Sequence, residues 1–166
     1  MHVDEFGALF GGRPLILDGA AGTKMIEFGM PSGVCPEKWA SENTGLLVQM
    51  HSGYIEAGAQ AIYAFTFGAN SLKLAEFGLA GEMHDINMRL CELACETARA
   101  KGVLVGGDIS PTGDFIQPFG LMDFDEAVQV YYDQARVLAE AGADFLIIET
   151  IQDIQSARAA LIGAKE

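Results

Sequence analysis

The stretch Leu15-Ile16-Leu17-Asp18-Gly19-Ala20-Ala21-Gly22-Thr23 decides the fold. It begins with an apolar run that ends at Asp18, and small residues follow. An apolar run without polar alternation is typical of a strand covered on both faces, as in a parallel sheet flanked by helices. Gly19 and Gly22 permit a tight turn and leave backbone N–H groups free to bind an anion. We therefore predict a first strand that presents a carboxylate at its end, with a simple helix cap at Asp18 as the alternative.

The composition indicates one globular domain in a reducing compartment. The chain has 166 residues, of which 50% are hydrophobic, and a net charge of −13. That charge argues against nucleic acid or an anionic membrane surface as a partner. The apolar stretches are shorter than the roughly 18 residues of a membrane span, and no signal-peptide pattern opens the sequence. The three cysteines form no disulfide pattern, so we expect a cytoplasmic protein.

Strand and helix patterns alternate along the rest of the chain. Apolar runs predict further strands over residues 61–67, 103–109 and 145–148. Residues 1–13 are predicted to form a short leading helix or arm, and residues 29–36 a loop over a site. Helices are predicted over residues 24–28, 72–77, 83–100 and 154–164, from Asn43 or Thr44 to Gly58, and from Asp123 or Asp125 to Ala141.

Successive strand and helix units of this kind require right-handed crossovers and form a parallel sheet. An open doubly wound sheet often carries a G-x-G-x-x-G motif, which this chain lacks. A (β/α)₈ barrel instead places polar residues at the carboxyl ends of its strands. Such residues occur here at the end of each predicted strand, namely Asp18, Thr66, Asp108 and Glu149.

These strand-end residues favour an α/β fold of the TIM-barrel type. A whole barrel takes about 250 residues, so this chain supplies only the first four βα units. We therefore predict that residues 1–166 are the N-terminal half of a barrel domain. A half-barrel exposes two strand edges, which proteins usually cover.

Seven motifs follow one another in a specific order. They are ILDGAAGT (16–23), PE (36–37), QMH (49–51) with YIEAGA (54–59), TFGAN (66–70), KLAEFGL (73–79), GDISPTG (107–113) and ET (149–150). In that order they resemble the motifs of the homocysteine S-methyltransferase family, and within it the cobalamin-dependent branch. The resemblance covers the chain from about residue 14 onward and implies an enzyme that transfers a methyl group to the homocysteine thiolate, making methionine.

The resemblance also implies roles for individual residues. Asp18 and Glu149 would bind the homocysteine ammonium group, and Thr66 and Asp108 would line the same mouth. In the family a zinc ion binds the sulfur as a thiolate, which makes it nucleophilic at neutral pH. Methylcobalamin would be the methyl donor, delivered by other modules. The homocysteine carboxylate would bind the N–H groups of Gly19, Ala20, Ala21, Gly22 and Thr23.

The chain departs from the family pattern in two ways. Ala64-Phe65 stands where the family usually has Thr-Asn. The family's zinc ligands are three cysteines in its second half, so we expect no zinc ligand and no catalytic residue here. Cys91 and Cys95 lie four residues apart, which places them on one helix face and favours a core role. Cys35 lies in the loop and is a minor candidate for a metal ligand, and His51 is predicted to be a surface or packing residue.

The sequence supports three hypotheses. The first is the homocysteine-binding half of a methyltransferase, inactive alone and completed by a second half-barrel or a second chain. The second is a half-barrel that pairs with a copy of itself as a binding or structural protein without methyltransferase activity. The third is an unrelated TIM-barrel enzyme that uses Asp108 and Glu149 as acid and base.

Overall fold

A computed structural model of the chain describes Gly7, Gly11 and residues 13–166. The predicted leading helix or arm therefore lies outside the described residues, apart from three positions. The strands are β1 (Ala61–Tyr63), β2 (Leu104–Ile109) and β3 (Phe145–Ile148). The helices are α1 (Ala21–Glu27), α2 (Pro36–Glu42), α3 (Thr44–Glu56), α4 (Ser71–Ala75), α5 (Met83–Arg99), α6 (Phe124–Glu140) and α7 (Ile154–Gly163).

The strands form one parallel sheet in the order β1-β2-β3. Gly106 of β2 lies between Tyr63 of β1 and Phe145 of β3, which fixes the register. The predicted α/β class and parallel sheet are thereby confirmed. Since all strands run the same way, their carboxyl ends meet at one edge, where polar strand-end residues come together.

The predicted first strand is reduced to an isolated bridge. Leu17 pairs in parallel with Ala61, the Asp18 N–H donates to the Ala61 carbonyl at 3.1 Å, and the Gln60 N–H donates to the Ile16 carbonyl at 2.7 Å. Ile16 is 58% exposed and Leu17 39% exposed, so the prediction that both faces are covered is wrong here. Among the described residues this segment has a strand partner on one side only, which leaves it with little apolar cover.

The second strand is also shorter than predicted, because it ends at Tyr63 and not at residue 67. The Thr66 N–H donates to the Ala64 carbonyl at 2.7 Å, and the Ala69 N–H donates to the Thr66 carbonyl at 3.0 Å. These bonds curl residues 64–69 into a turn, so Thr66 lies beyond the strand end. Thr66 nevertheless contacts the end of β2.

Most predicted helices are confirmed to within a few residues, and α2 was not predicted. It begins at Pro36, which fits the first helical position because that position needs no N–H donor. Asp123 is the cap of α6, and its side chain accepts a hydrogen bond from the Asp125 N–H at 2.9 Å. No described helix is both long and apolar enough to cross a membrane.

The apolar core has two parts. One lies between the sheet and helices α5, α6 and α7, and the other among α1 to α5. Cys91 and Cys95 are buried in the first part, where their thiols donate to the carbonyls of Leu138 and Gly142 at 3.7 and 3.3 Å. Their predicted core role is confirmed.

Candidate functional site

A pocket of about 500 Å³ lies at the carboxyl edge of the sheet. It contains four carboxylates, and the described residues that line it include no lysine, arginine or histidine. Such a pocket favours a cationic group, because acidic groups brought together repel one another when they are ionised. The lining consists of Leu17, Asp18, Gly19, Ala20, Ala21, Gly22, Pro36, Glu37, Tyr63, Ala64, Phe65, Phe67, Asp108 and Glu149.

Asp18 follows the bridge at Leu17, and its side chain points across to β1. Its Oδ2 accepts a hydrogen bond from the Tyr63 N–H at 3.0 Å. Burial raises the pKa of Asp18 to about 6, against the effect of its hydrogen bonds, and the charge of Glu149 adds to the rise. The alternative that Asp18 caps a helix is wrong, because the residue before α1 is Ala20 and no side chain caps that helix.

Asp108 belongs to β2 and is the most deeply buried predicted site residue after Thr66. The Thr66 hydroxyl donates to the Asp108 carbonyl at 2.9 Å and accepts from the Asp108 N–H at 3.2 Å. Among the described residues, the Asp108 Oδ1 has no hydrogen-bond partner. Burial raises the pKa of Asp108 to about 8, helped by the charges of Glu149, Asp18 and Glu37. Its carboxyl group therefore holds a proton at neutral pH and can donate a hydrogen bond.

Glu149 directly follows β3 and is half-buried at the pocket. Its N–H donates to the Ile109 carbonyl at 3.0 Å, which extends the β2–β3 pairing by one residue. The next residue, Thr150, has a φ of 59°, a left-handed conformation that is rare for a β-branched residue. The chain thus turns sharply after Glu149, at the pocket rim.

Glu37 is a pocket residue that the sequence reasoning did not assign. It lies in the first turn of α2 and is only 5% exposed. Its Oε1 accepts a hydrogen bond from the Gly68 N–H at 2.7 Å, and its Oε2 accepts from the Cys35 thiol at 3.5 Å. The Pro36-Glu37 motif belongs to the family resemblance, but an acidic residue near a helix start usually indicates only a favourable dipole interaction.

The structure brings most of the predicted site residues together. Asp18, Asp108, Glu149 and the segment 19–22 line the pocket. Thr23 instead lines a separate cavity beside α3, and Thr66 lies behind the pocket, fully buried against Asp108. Ala64 and Phe65, where the family usually has polar residues, form part of the apolar wall.

The described residues do not fit a zinc ion. They contain no group of three or more His, Cys, Asp or Glu side chains placed to hold one metal ion. The thiols of Cys91 and Cys95 donate hydrogen bonds to backbone carbonyls in the core, and the Cys35 thiol donates one to Glu37. Burial raises the pKa of the Cys35 thiol, which disfavours the thiolate that zinc requires.

The chain belongs to the homocysteine S-methyltransferase family, whose model matches residues 15–166. It is 27% identical to methionine synthase of Mycobacterium tuberculosis, over 92% of this chain and 14% of that protein. The parallel sheet, the pocket at its carboxyl edge and the ordered motifs agree with this membership.

The fold is similar to that of a solved enzyme. The metallated form of the homocysteine methyltransferase MmuM from Escherichia coli matches with a TM-score of 0.76 and 23% identity, over 92% of this chain and 59% of that chain. The apo form of MmuM matches with a TM-score of 0.71 and 24% identity, over 95% and 57%. The chain therefore spans about three fifths of MmuM and a much smaller share of the methionine synthase.

Proposed function

We propose that this chain is the homocysteine-binding part of a methyltransferase that makes methionine, and that its pocket holds the amino-acid head group. The observation that carries the proposal is the meeting of Asp18 and Glu149 in one pocket that no lysine, arginine or histidine lines among the described residues. An ammonium group would relieve the repulsion between these carboxylates. Membership of the family supports homocysteine as the amino acid.

The pocket provides distinct partners for the two ends of the head group. Asp18 and Glu149 would accept hydrogen bonds from the ammonium group. Residues 19–22 lead into the start of α1 and line the pocket, so their backbone N–H groups would bind the carboxylate, since the first N–H groups of a helix have no intrahelical acceptor. Thr23, which lines the separate cavity beside α3, is not assigned to it. Asp108 holds a proton at neutral pH, so from the buried side of the pocket it would donate a hydrogen bond to the bound amino acid.

Activation of the sulfur is not assigned to these residues. Zinc would supply a stabilised thiolate in the family's reaction, and the described side chains do not fit that ion. Methylcobalamin as the methyl donor stays a prediction, with no described residue assigned to it, as does the cytoplasmic location. This chain's contribution is to bind and orient the substrate.

The proposed architecture is the first half of a TIM barrel. The parallel β1-β2-β3 sheet and the additional bridge at Leu17 supply strand positions in the expected order. Further parallel strands, from a second half-barrel or from another chain, would pair with the two outer edges. The exposure of Ile16 at one of those edges supports such a partner, and it also supports the alternative of a self-associating half-barrel.

The proposal is tested by measuring homocysteine binding by isothermal titration calorimetry. Asp18→Asn and Glu149→Gln each keep the side-chain shape and remove a charge. Each should weaken homocysteine binding about 10- to 100-fold, because a charge-assisted hydrogen bond contributes about 1.5–3 kcal/mol. Glu96→Gln, at an exposed position on α5, removes the same charge away from the pocket and should bind like the wild type.

Equal affinity in the wild type, Asp18→Asn and Glu149→Gln would reject the assigned ammonium site. A wild-type chain that binds no homocysteine at all would reject the proposed function. If Glu96→Gln loses as much homocysteine affinity as the two pocket variants, the overall charge of the chain and not the pocket determines the affinity.

A further inference from the structure

A buried cluster of side-chain amides lies behind the pocket, outside the residues assigned to homocysteine. Gln134 on α6 and Asn87 on α5 are both fully buried. The Gln134 Nε2 donates to the Asn87 Oδ1 at 3.2 Å and to the Thr66 carbonyl at 2.9 Å. The Asn87 Nδ2 donates to the Ala69 carbonyl at 2.7 Å. The two amides therefore hold both ends of the turn over residues 66–69.

That turn is joined to two of the four pocket carboxylates. The Thr66 hydroxyl in this turn donates a hydrogen bond to the Asp108 carbonyl at 2.9 Å and accepts one from the Asp108 N–H at 3.2 Å. The Gly68 N–H in the same turn donates a hydrogen bond to the Glu37 carboxylate at 2.7 Å. A Cβ at Gly68 would lie 2.8 Å from the Glu37 Oε1, so the Glu37 carboxylate lies directly against the turn at this residue. A shift of the turn would therefore move Asp108 and Glu37 together.

We infer that Gln134 is a positioning residue for the pocket, acting through the turn at residues 66–69 on Asp108 and Glu37. The inference rests on the proposed homocysteine site for its functional meaning. A buried amide is costly to desolvate, and Gln134 directs its Nε2 donors to the turn and to Asn87, while its Oε1 is buried without a partner among the described residues. A packing role alone would be served as well by an apolar side chain of the same length.

The free chain offers a direct readout of this positioning. Asp108 faces Asp18, Glu37 and Glu149, with the Tyr63 phenol nearby, and its carboxyl is kept protonated by burial among them. If the turn loosens, water reaches the Asp108 carboxyl and its pKa falls toward the ordinary value. The titration midpoint of Asp108 therefore measures how firmly the turn is held, without any ligand.

The experiment follows the Asp108 carboxyl carbon by NMR during a pH titration of the 166-residue chain. Gln134→Met keeps the side-chain length and removes both donors. We expect the Asp108 midpoint to fall by about half a pH unit or more, and homocysteine binding to weaken about fivefold to tenfold. Ala135→Gly is the matched control, because it weakens the same helix by about 1 kcal/mol and removes no hydrogen bond.

The control variant should keep the wild-type Asp108 midpoint. An unchanged midpoint in Gln134→Met, or an equal fall in Ala135→Gly, would overturn the inference. If Gln134→Met does not fold, Gln134→Asn keeps a buried amide but shortens its reach, and the same two outcomes apply. Loss of homocysteine binding in the wild type would remove the proposed function, whereas the Asp108 midpoint would still report on positioning by Gln134.

Discussion

At the scale of single residues, the pocket carboxylates differ in protonation because their surroundings differ. Asp18 accepts a backbone hydrogen bond from Tyr63 and its pKa is raised to about 6. Asp108 has a buried oxygen without a partner among the described residues, and its pKa is raised to about 8. At neutral pH the free pocket therefore combines an ionised Asp18 with a protonated Asp108. A cationic ligand lowers both pKa values, because it stabilises the charged forms.

Asp108 makes the free chain less stable as the pH rises. Its pKa is higher in the folded chain than the ordinary value of 3.8, so its stabilising effect is complete below about pH 4 and is lost as the pH rises through about 8. We expect Asp108→Asn to raise the free energy of unfolding at pH 8 by about 1–3 kcal/mol and to have little effect at pH 4. Urea unfolding at the two pH values checks this, and an equal change at both would contradict it.

His51 makes the chain less stable as the pH falls. It is fully buried on α3, neither ring nitrogen has a partner among the described residues, and burial lowers its pKa from 6.5 to about 4. Its stabilising effect is present above pH 6.5 and is lost as the pH falls toward 4. His51→Leu should remove this acid loss, seen as a smaller fall in melting temperature between pH 6.5 and 4.5. A variant with the wild-type acid sensitivity would contradict the prediction.

At the scale of elements, two helix glycines have opposite expected effects. A Cβ at Gly163 of α7 would lie 2.7 Å from the Val128 carbonyl oxygen and the Tyr132 nitrogen of α6, both backbone atoms that cannot move independently. Gly163→Ala should therefore destabilise the chain by about 1–3 kcal/mol.

Gly53 of α3 is the matched control for that prediction. It is exposed, and a Cβ there would meet no atom within 4 Å. Gly53→Ala should stabilise the chain by up to about 1 kcal/mol through helix propensity. The two free energies of unfolding, measured with urea, should change in opposite directions. A loss of stability in both variants would show that close contact between α6 and α7 is not the cause.

The sequence patterns predicted the elements whose formation depends on local residues. β3 matched the prediction over residues 145–148, because an apolar run between turns is a local feature. The curl at residues 64–69 was not predicted, because its local backbone bonds are supported by hydrogen bonds between Thr66 and two residues distant in sequence, Asp108 and Gln134. Glu37 was not assigned for a similar reason. Its burial depends on contact with Gly68, and the helix that carries it has only seven residues.

At the scale of the whole molecule, the sheet has two outer edges that no described strand covers. Ile16 is 58% exposed at one edge, and Ile154 of α7, which packs beside β3, is 76% exposed. Whether a first strand is complete depends on its neighbour, which local sequence cannot reveal. This explains why an apolar segment that was predicted to be covered on both faces forms only a bridge.

The open edges predict that the 166-residue chain self-associates. The net charge of −13 opposes association, so the average mass should rise with protein concentration and with added salt. Ile16→Lys should reduce the association, because a charged residue on an exposed edge disfavours pairing with a strand of another chain. Leu121→Lys is the control at a loop position that is 95% exposed, and it should have less effect. Light scattering that finds a monomer at all concentrations would contradict this prediction.

The central claim is that Asp18, with Glu149, binds the ammonium group of homocysteine. The most direct measurement compares calorimetric binding of homocysteine and of 4-mercaptobutyrate, which lacks the amino group, to the wild type and to Asp18→Asn. We predict that the wild type prefers homocysteine about tenfold or more, and that Asp18→Asn loses most of this preference. Equal preference for homocysteine in both chains would contradict the claim, as would equal binding of both ligands by the wild type.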